Sequence, residues 1–215
     1  MPERGTVADW KALHGFLFFA LLIAATFVPP FRTWPLIWIA PLAGYFALVA
    51  LVRPLRVTFS GWSFGRGSPA ALLAAIGIAV LSSATLLLFQ RWSRPDLHAY
   101  AAALPKLPGN QIIIAGIVFA ILNAVLEELI FRGILFTAIE SQVSTPMTVI
   151  ITAALFGYGH MHGYPPGPLG AVLAGIYGLM LGWLRVFTGG LGLPVLAHVV
   201  ADATIFLIVA RAGLL

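Results

Sequence analysis

Glu127-Glu128-Leu129-Ile130-Phe131-Arg132 places three charged side chains inside a stretch that is otherwise apolar. Upstream, Gln111 to Leu126 reads Gln-Ile-Ile-Ile-Ala-Gly-Ile-Val-Phe-Ala-Ile-Leu-Asn-Ala-Val-Leu, with Asn123 as its one interior polar residue; downstream, apolar residues resume through Ile134, Leu135 and Phe136. Charges flanked by apolar segments are costly unless they are paired or face a cavity. The chain has seven acidic residues in 215, so two side by side here need a reason. On a helix Glu128 and Arg132 are i, i+4 and share a face, which predicts an ion pair. Glu127 points about 100° away from Glu128, so it need not be neutralised by the same arginine and can face elsewhere. Asn123 lies one turn before Glu127 on its face.

The composition sets the frame for this cluster. Sixty per cent of the residues are hydrophobic and 9% are charged, with a mean hydropathy of +1.00; soluble domains carry roughly 25% charged residues. The chain therefore reads as an all-α, polytopic membrane protein, in one domain over 1–215. The net charge of +5 is spread over loops and span ends with no lysine- or arginine-rich run, so nucleic-acid binding is not expected. The absence of cysteine excludes disulfides, thiolate zinc sites and a cysteine nucleophile.

Seven apolar spans are expected, or eight if the last segment or the loop after Ser93 contributes another. They run over about 16–28, 35–52, 69–89, 111–138, 147–161, 169–187 and 193–209. The first resembles the core of a secretory signal, but the acids ahead of it and the many later spans favour a retained helix. Arg53 to Ser68 reads as a loop, and a short amphipathic helix is expected around Leu97 to Leu104. Gly170, Ala174, Gly178 and Gly182 recur at i, i+4 and allow close helix packing. Trp34, Trp62, Trp92 and Trp183 fall near span ends, as an aromatic belt requires. Loop arginines and lysines divide almost evenly between the two sides and do not fix the orientation. The expected location is a membrane, spanned several times.

Ionisable residues expected inside spans are Glu127, Glu128, Arg132, His160, His198 and Asp202; His162 belongs to the following loop. His198 and Asp202 are i, i+4, so the carboxylate can orient the imidazole or share a ligand with it. Phe156 and His160 have the same spacing, which sets an aromatic wall one turn from a second imidazole. Structural alternatives stand beside each: a locking ion pair for Glu128 and Arg132, an interfacial histidine at 160, an interhelical hydrogen bond for Asn123. Together, three spans bring a carboxylate, an imidazole and an imidazole–carboxylate pair, a set suited to activating water. A carboxylate in a low-dielectric pocket becomes a competent general base, and histidines can position the water or donate to an oxyanion.

Glu127-Glu128-x-x-x-Arg132, Phe156-x-x-x-His160 and His198-x-x-x-Asp202 resemble, in order and spacing, the EExxxR, FxxxH and HxxxN motifs of the CAAX prenyl endopeptidase and bacteriocin-processing (CPBP, Abi) family of intramembrane proteases. The resemblance covers roughly 111–210. It implies a helical bundle with a water-accessible cavity and hydrolysis of a peptide bond in a membrane-anchored peptide or protein. By motif position Glu127 activates water with the help of His160, His198 and residue 202 stabilise the oxyanion, and Glu128 and Arg132 support the site; Asn123 and Phe156 are expected as further supporting residues from their places on the helices. Asp202 departs from the pattern: asparagine donates to an oxyanion and ionised aspartate does not. Asp202 is then protonated, or orients His198, or ligates a metal. No cofactor is favoured, although Glu127, His160, His198 and Asp202 leave zinc or another divalent ion open. There is no HExxH motif. Two other readings compete with the endopeptidase: a proton-coupled transporter using the same buried groups, and a non-catalytic scaffold or immunity protein. The oligomeric state is not legible.

Overall fold

A computed structural model describes residues 4–59 and 63–214, with side chains from residue 9 to residue 213. Trp62 and Glu3 lie outside the described residues. Among those described, every regular element is helical: α1 (Arg4–Thr26), α2 (Leu36–Leu51), α3 (Arg53–Thr58), α4 (Pro69–Ser93), α5 (His98–Ala102), α6 (Asn110–Glu128), α7 (Phe136–Glu140), α8 (Thr145–Gly159), α9 (Gly167–Thr188) and α10 (Gly192–Leu214). A π-helical stretch, Leu129–Leu135, joins α6 to α7.

Among the described residues, five segments are long and apolar enough to cross a membrane: Asp9–Thr26, Pro69–Ser93, Asn110–Glu140, Gly167–Thr188 and Gly192–Gly213. The second and fifth expected spans instead form the shorter apolar helices Leu36–Leu51 and Thr145–Gly159, of 16 and 15 residues, below the roughly 20 that a spanning helix needs. The segment after Ser93 forms only the five-residue α5, where a short helix is expected. One difference is α3, in a stretch that reads as a loop. Pro54 sits in its first turn, where a missing N–H is no loss. Outward-facing apolar side chains such as Leu73, Ile113 and Val172 are more than half exposed, as lipid-facing positions are.

The chain divides into two compact units, Met1–Ser63 with Leu126–Thr152 and Phe64–Val125 with Ala153–Leu215. In the first, Phe18, Tyr45 and Phe136 are fully buried. Gly15 meets Ala138 so closely that a Cβ would lie 3.0 Å from the alanine methyl. His14 ties three helices. The Thr58 hydroxyl donates to the Pro54 carbonyl at 2.8 Å, so its oxygen accepts from His14 Nε2–H at 3.1 Å. His14 Nδ1 then accepts from the Tyr45 hydroxyl at 2.7 Å.

In the second unit, Ser68 caps α4 by accepting from the Ala71 amide at 3.1 Å, with Pro69 at the first position. Ser83 and Thr204 join α4 to α10 by a 2.9 Å hydrogen bond. The glycine ladder of α9 packs on α8: a Cβ at Gly157 would come within 2.6 Å of the Ala171 carbonyl, and one at Gly178 within 3.1 Å of Ala153 Cα. Gly65, at φ +80°, lets its loop lie against the turn after α9, where a Cβ would meet Thr188 O and Gly190 N at 2.9 Å.

Candidate functional site

The second unit builds a polar cluster from α6, α8, α9 and α10. His198 and Asp202, one turn apart on α10, are both buried, with 3% and 4% of their surface exposed. His198 Nε2 lies 3.7 Å from Asp202 Oδ1. The other carboxylate oxygen, Oδ2, accepts from the Asn123 amide on α6 at 3.1 Å. Asp202 thus faces an imidazole with one oxygen and is bonded through the other.

His160 follows the last turn of α8. A backbone carbonyl can only accept, so the 2.8 Å approach of His160 Nδ1 to the Phe156 carbonyl places the ring hydrogen on Nδ1. In the neutral ring Nε2 is then the accepting nitrogen. Phe156 stacks on His160 with centroids 4.3 Å apart. It also meets His198 at 5.8 Å and 72°, while Tyr177 of α9 approaches His198 edge-on at 5.6 Å and 85°. The two rings confine the His198 imidazole from two sides.

His160, His198, Asp202, Phe156 and Tyr177 line one cavity of about 270 Å³, whose other walls include Leu86, Leu173, Ile176 and Ile205. The connector after His160 is tied to the last turns of α4 and to α5. Tyr164 donates to Gln90 Oε1 at 3.0 Å, and Tyr100 donates to the Gly163 carbonyl at 2.8 Å. Tyr164 meets the rings of Phe89 and Tyr100 edge-on, each at 6.1 Å. Burial pushes the Tyr164 phenol up to about 12, with Tyr100 adding to the shift. Burial also raises Tyr100.

In the first unit Glu128 Oε1 and Arg132 Nη1 form a 2.7 Å ion pair, both side chains fully buried. The expected i, i+4 partnership therefore holds although Arg132 lies in the π-helical stretch. Glu127 occupies the last turn of α6 and is 6% exposed. Within the second unit, no group of three or more described His, Asp or Glu side chains is disposed to hold a metal ion.

The structure joins the second and third motifs around one cavity and adds Asn123 to them. Two residues were not singled out from sequence. Tyr177 beside His198 has as its only signal a tyrosine set among the small residues of α9. His14 falls between the polar N-terminus and the first expected span, which begins at residue 16, but is 4% exposed within a candidate span. No curated protein and no solved structure gives a significant match to this chain. Residues 109–204, the stretch that carries all three motifs, match the family model described as Type II CAAX prenyl endopeptidase Rce1-like, the family that those motifs resemble.

Proposed function

We propose that the protein is an intramembrane endopeptidase that cuts a membrane-anchored peptide or protein, with lipid-modified CAAX-type substrates as the class that the family match favours. The observation that carries the reading is the cavity where His160, His198 and Asp202 meet within apolar helices. In the proposed reaction Glu127 takes a proton from a water molecule and the resulting hydroxide attacks the scissile carbonyl carbon. His160 Nε2 holds that water by accepting from it. His198 donates to the developing oxyanion, and the proton held by Glu127 passes to the leaving amine as the C–N bond breaks. Asp202 orients His198 rather than donating to the oxyanion, which accounts for an acceptor where the family pattern has asparagine. Glu128 and Arg132 hold the helix that carries Glu127.

The test is cleavage of a farnesylated CAAX peptide in proteoliposomes, together with mass spectrometry of membrane peptides from host cells. Glu127→Gln, His160→Ala and His198→Ala each abolish cleavage while the protein still inserts and folds. Normal proteolysis by Glu127→Gln overturns the assignment, and ion or solute flux that depends on Glu127 replaces it with a transporter. No metal takes part in this scheme, so 1,10-phenanthroline leaves turnover unchanged; loss of turnover that zinc restores would replace the scheme with a metal-dependent one.

A further inference from the structure

The amide of Asn123 lies in an apolar helical run, and its hydrogen bond reaches a residue 79 positions away. We propose that Asn123 is a positioning residue: its amide, donated from α6 to Asp202 on α10, fixes the carboxylate that faces His198 and so sets the orientation of the His198 ring. The inference rests on the endopeptidase reading only for what the ring then does.

Four observations carry it. First, the 3.7 Å separation of His198 Nε2 from Asp202 Oδ1 exceeds hydrogen-bond length. The carboxylate therefore acts on the ring through charge and facing, which depend on its rotation. Second, Asp202 Oδ2 accepts from Asn123 at 3.1 Å, and this bond opposes that rotation. Third, the donor can only be the Asn123 nitrogen, because an amide nitrogen donates and does not accept. Asn123 is thereby oriented too, and the buried carboxylate oxygen it faces has its hydrogen-bonding need met by that amide. Fourth, Phe156 and Tyr177 confine where the imidazole sits, at 5.8 and 5.6 Å. What remains open is which nitrogen faces the carboxylate, and Asp202 decides that.

A double-mutant cycle on kcat and KM tests the inference, using the full-length protein in proteoliposomes and a farnesylated CAAX peptide. Asn123→Ala lowers kcat on the order of 10-fold or more, the usual scale for an outer partner of an active-site histidine, with KM little changed. In an Asp202→Ala background, with no carboxylate to hold, removing the Asn123 amide has no further effect on kcat. Additive losses, or a loss confined to KM, overturn the proposal. If Asn123→Ala does not fold, Asn123→Leu, of similar volume and without a donor, takes its place: kcat falls about tenfold or more with KM little changed, and a kcat equal to wild type overturns the proposal.

A readout without substrate separates this inference from the protease reading. In ¹⁵N-histidine-labelled protein in nanodiscs, Asn123→Ala or Asn123→Leu moves the His198 side-chain nitrogen resonances and leaves those of His14 in place. If the wild type cleaves nothing yet the His198 resonances respond, the endopeptidase reading fails and the positioning role stands. If the wild type cleaves but the cycle is additive and the resonances do not move, the positioning role fails alone.

Discussion

Replacing Arg132 with methionine isolates the value of the Glu128–Arg132 pair. The two groups are 2.7 Å apart and fully buried. At an effective dielectric of about 20, their gross attraction is about 6 kcal/mol. Against this stands a desolvation penalty of several kcal/mol for each ion, so the intact pair contributes little net stability. Arg132→Met removes the attraction but leaves the Glu128 carboxylate buried, and the expected loss is about 3–5 kcal/mol. Glu128→Gln/Arg132→Met removes both charges at similar volume. It is expected to unfold within about 1 kcal/mol of the wild type, or above it. The assay is SDS-induced unfolding in dodecylmaltoside micelles, followed by circular dichroism. A single-variant loss below about 1 kcal/mol, or a double variant as unstable as the single, would refute the reasoning.

Other expected outcomes concern packing and pH. Gly157→Ala drives a Cβ to within 2.6 Å of the Ala171 carbonyl and should destabilise the second unit by about 1–3 kcal/mol. Turnover falls with it because His160 follows three residues later, whereas Gly77→Ala, which meets nothing within 4 Å, leaves the unfolding midpoint unchanged or raised. His14→Ala leaves the Tyr45 hydroxyl buried beside a void and should lower stability by about 1–3 kcal/mol in the same SDS titration, with turnover per folded molecule unchanged. Tyr164 is raised from 10.0 to about 12 in the folded protein, so its contribution to stability is complete below pH 10 and is lost as pH rises through about 12. Ultraviolet absorbance titration should show one phenol ionising near that upper value, and Tyr164→Phe should remove it.

The spans and the ion pair were legible because each rests on local pattern. Length and hydropathy define a span, and i, i+4 spacing pairs Glu128 with Arg132. The same spacing brought Phe156 to His160 and His198 to Asp202. What the pattern does not carry is which helix lies against which. The Asn123–Asp202 bond joins helices far apart in the chain, and no period in the sequence encodes it. The π-helical stretch Leu129–Leu135 was hidden because an unbroken apolar run has the same appearance at either pitch. Tyr177 looked like one more packing residue until α9 was turned toward His198. His14 was masked by its charged neighbours Asp9 and Lys11, although its partners Tyr45 and Thr58 come from later elements. The helix Arg53–Thr58 escaped because its arginines suggest a loop.

The bond from the His160 ring to the carbonyl one turn behind it has a mechanical result. Nδ1 keeps its hydrogen in both the neutral and the cationic ring, so this tether survives a change of charge. Nε2 can gain or give up a proton while the imidazole stays anchored against Phe156, and a proton can be relayed there without any swing of the side chain.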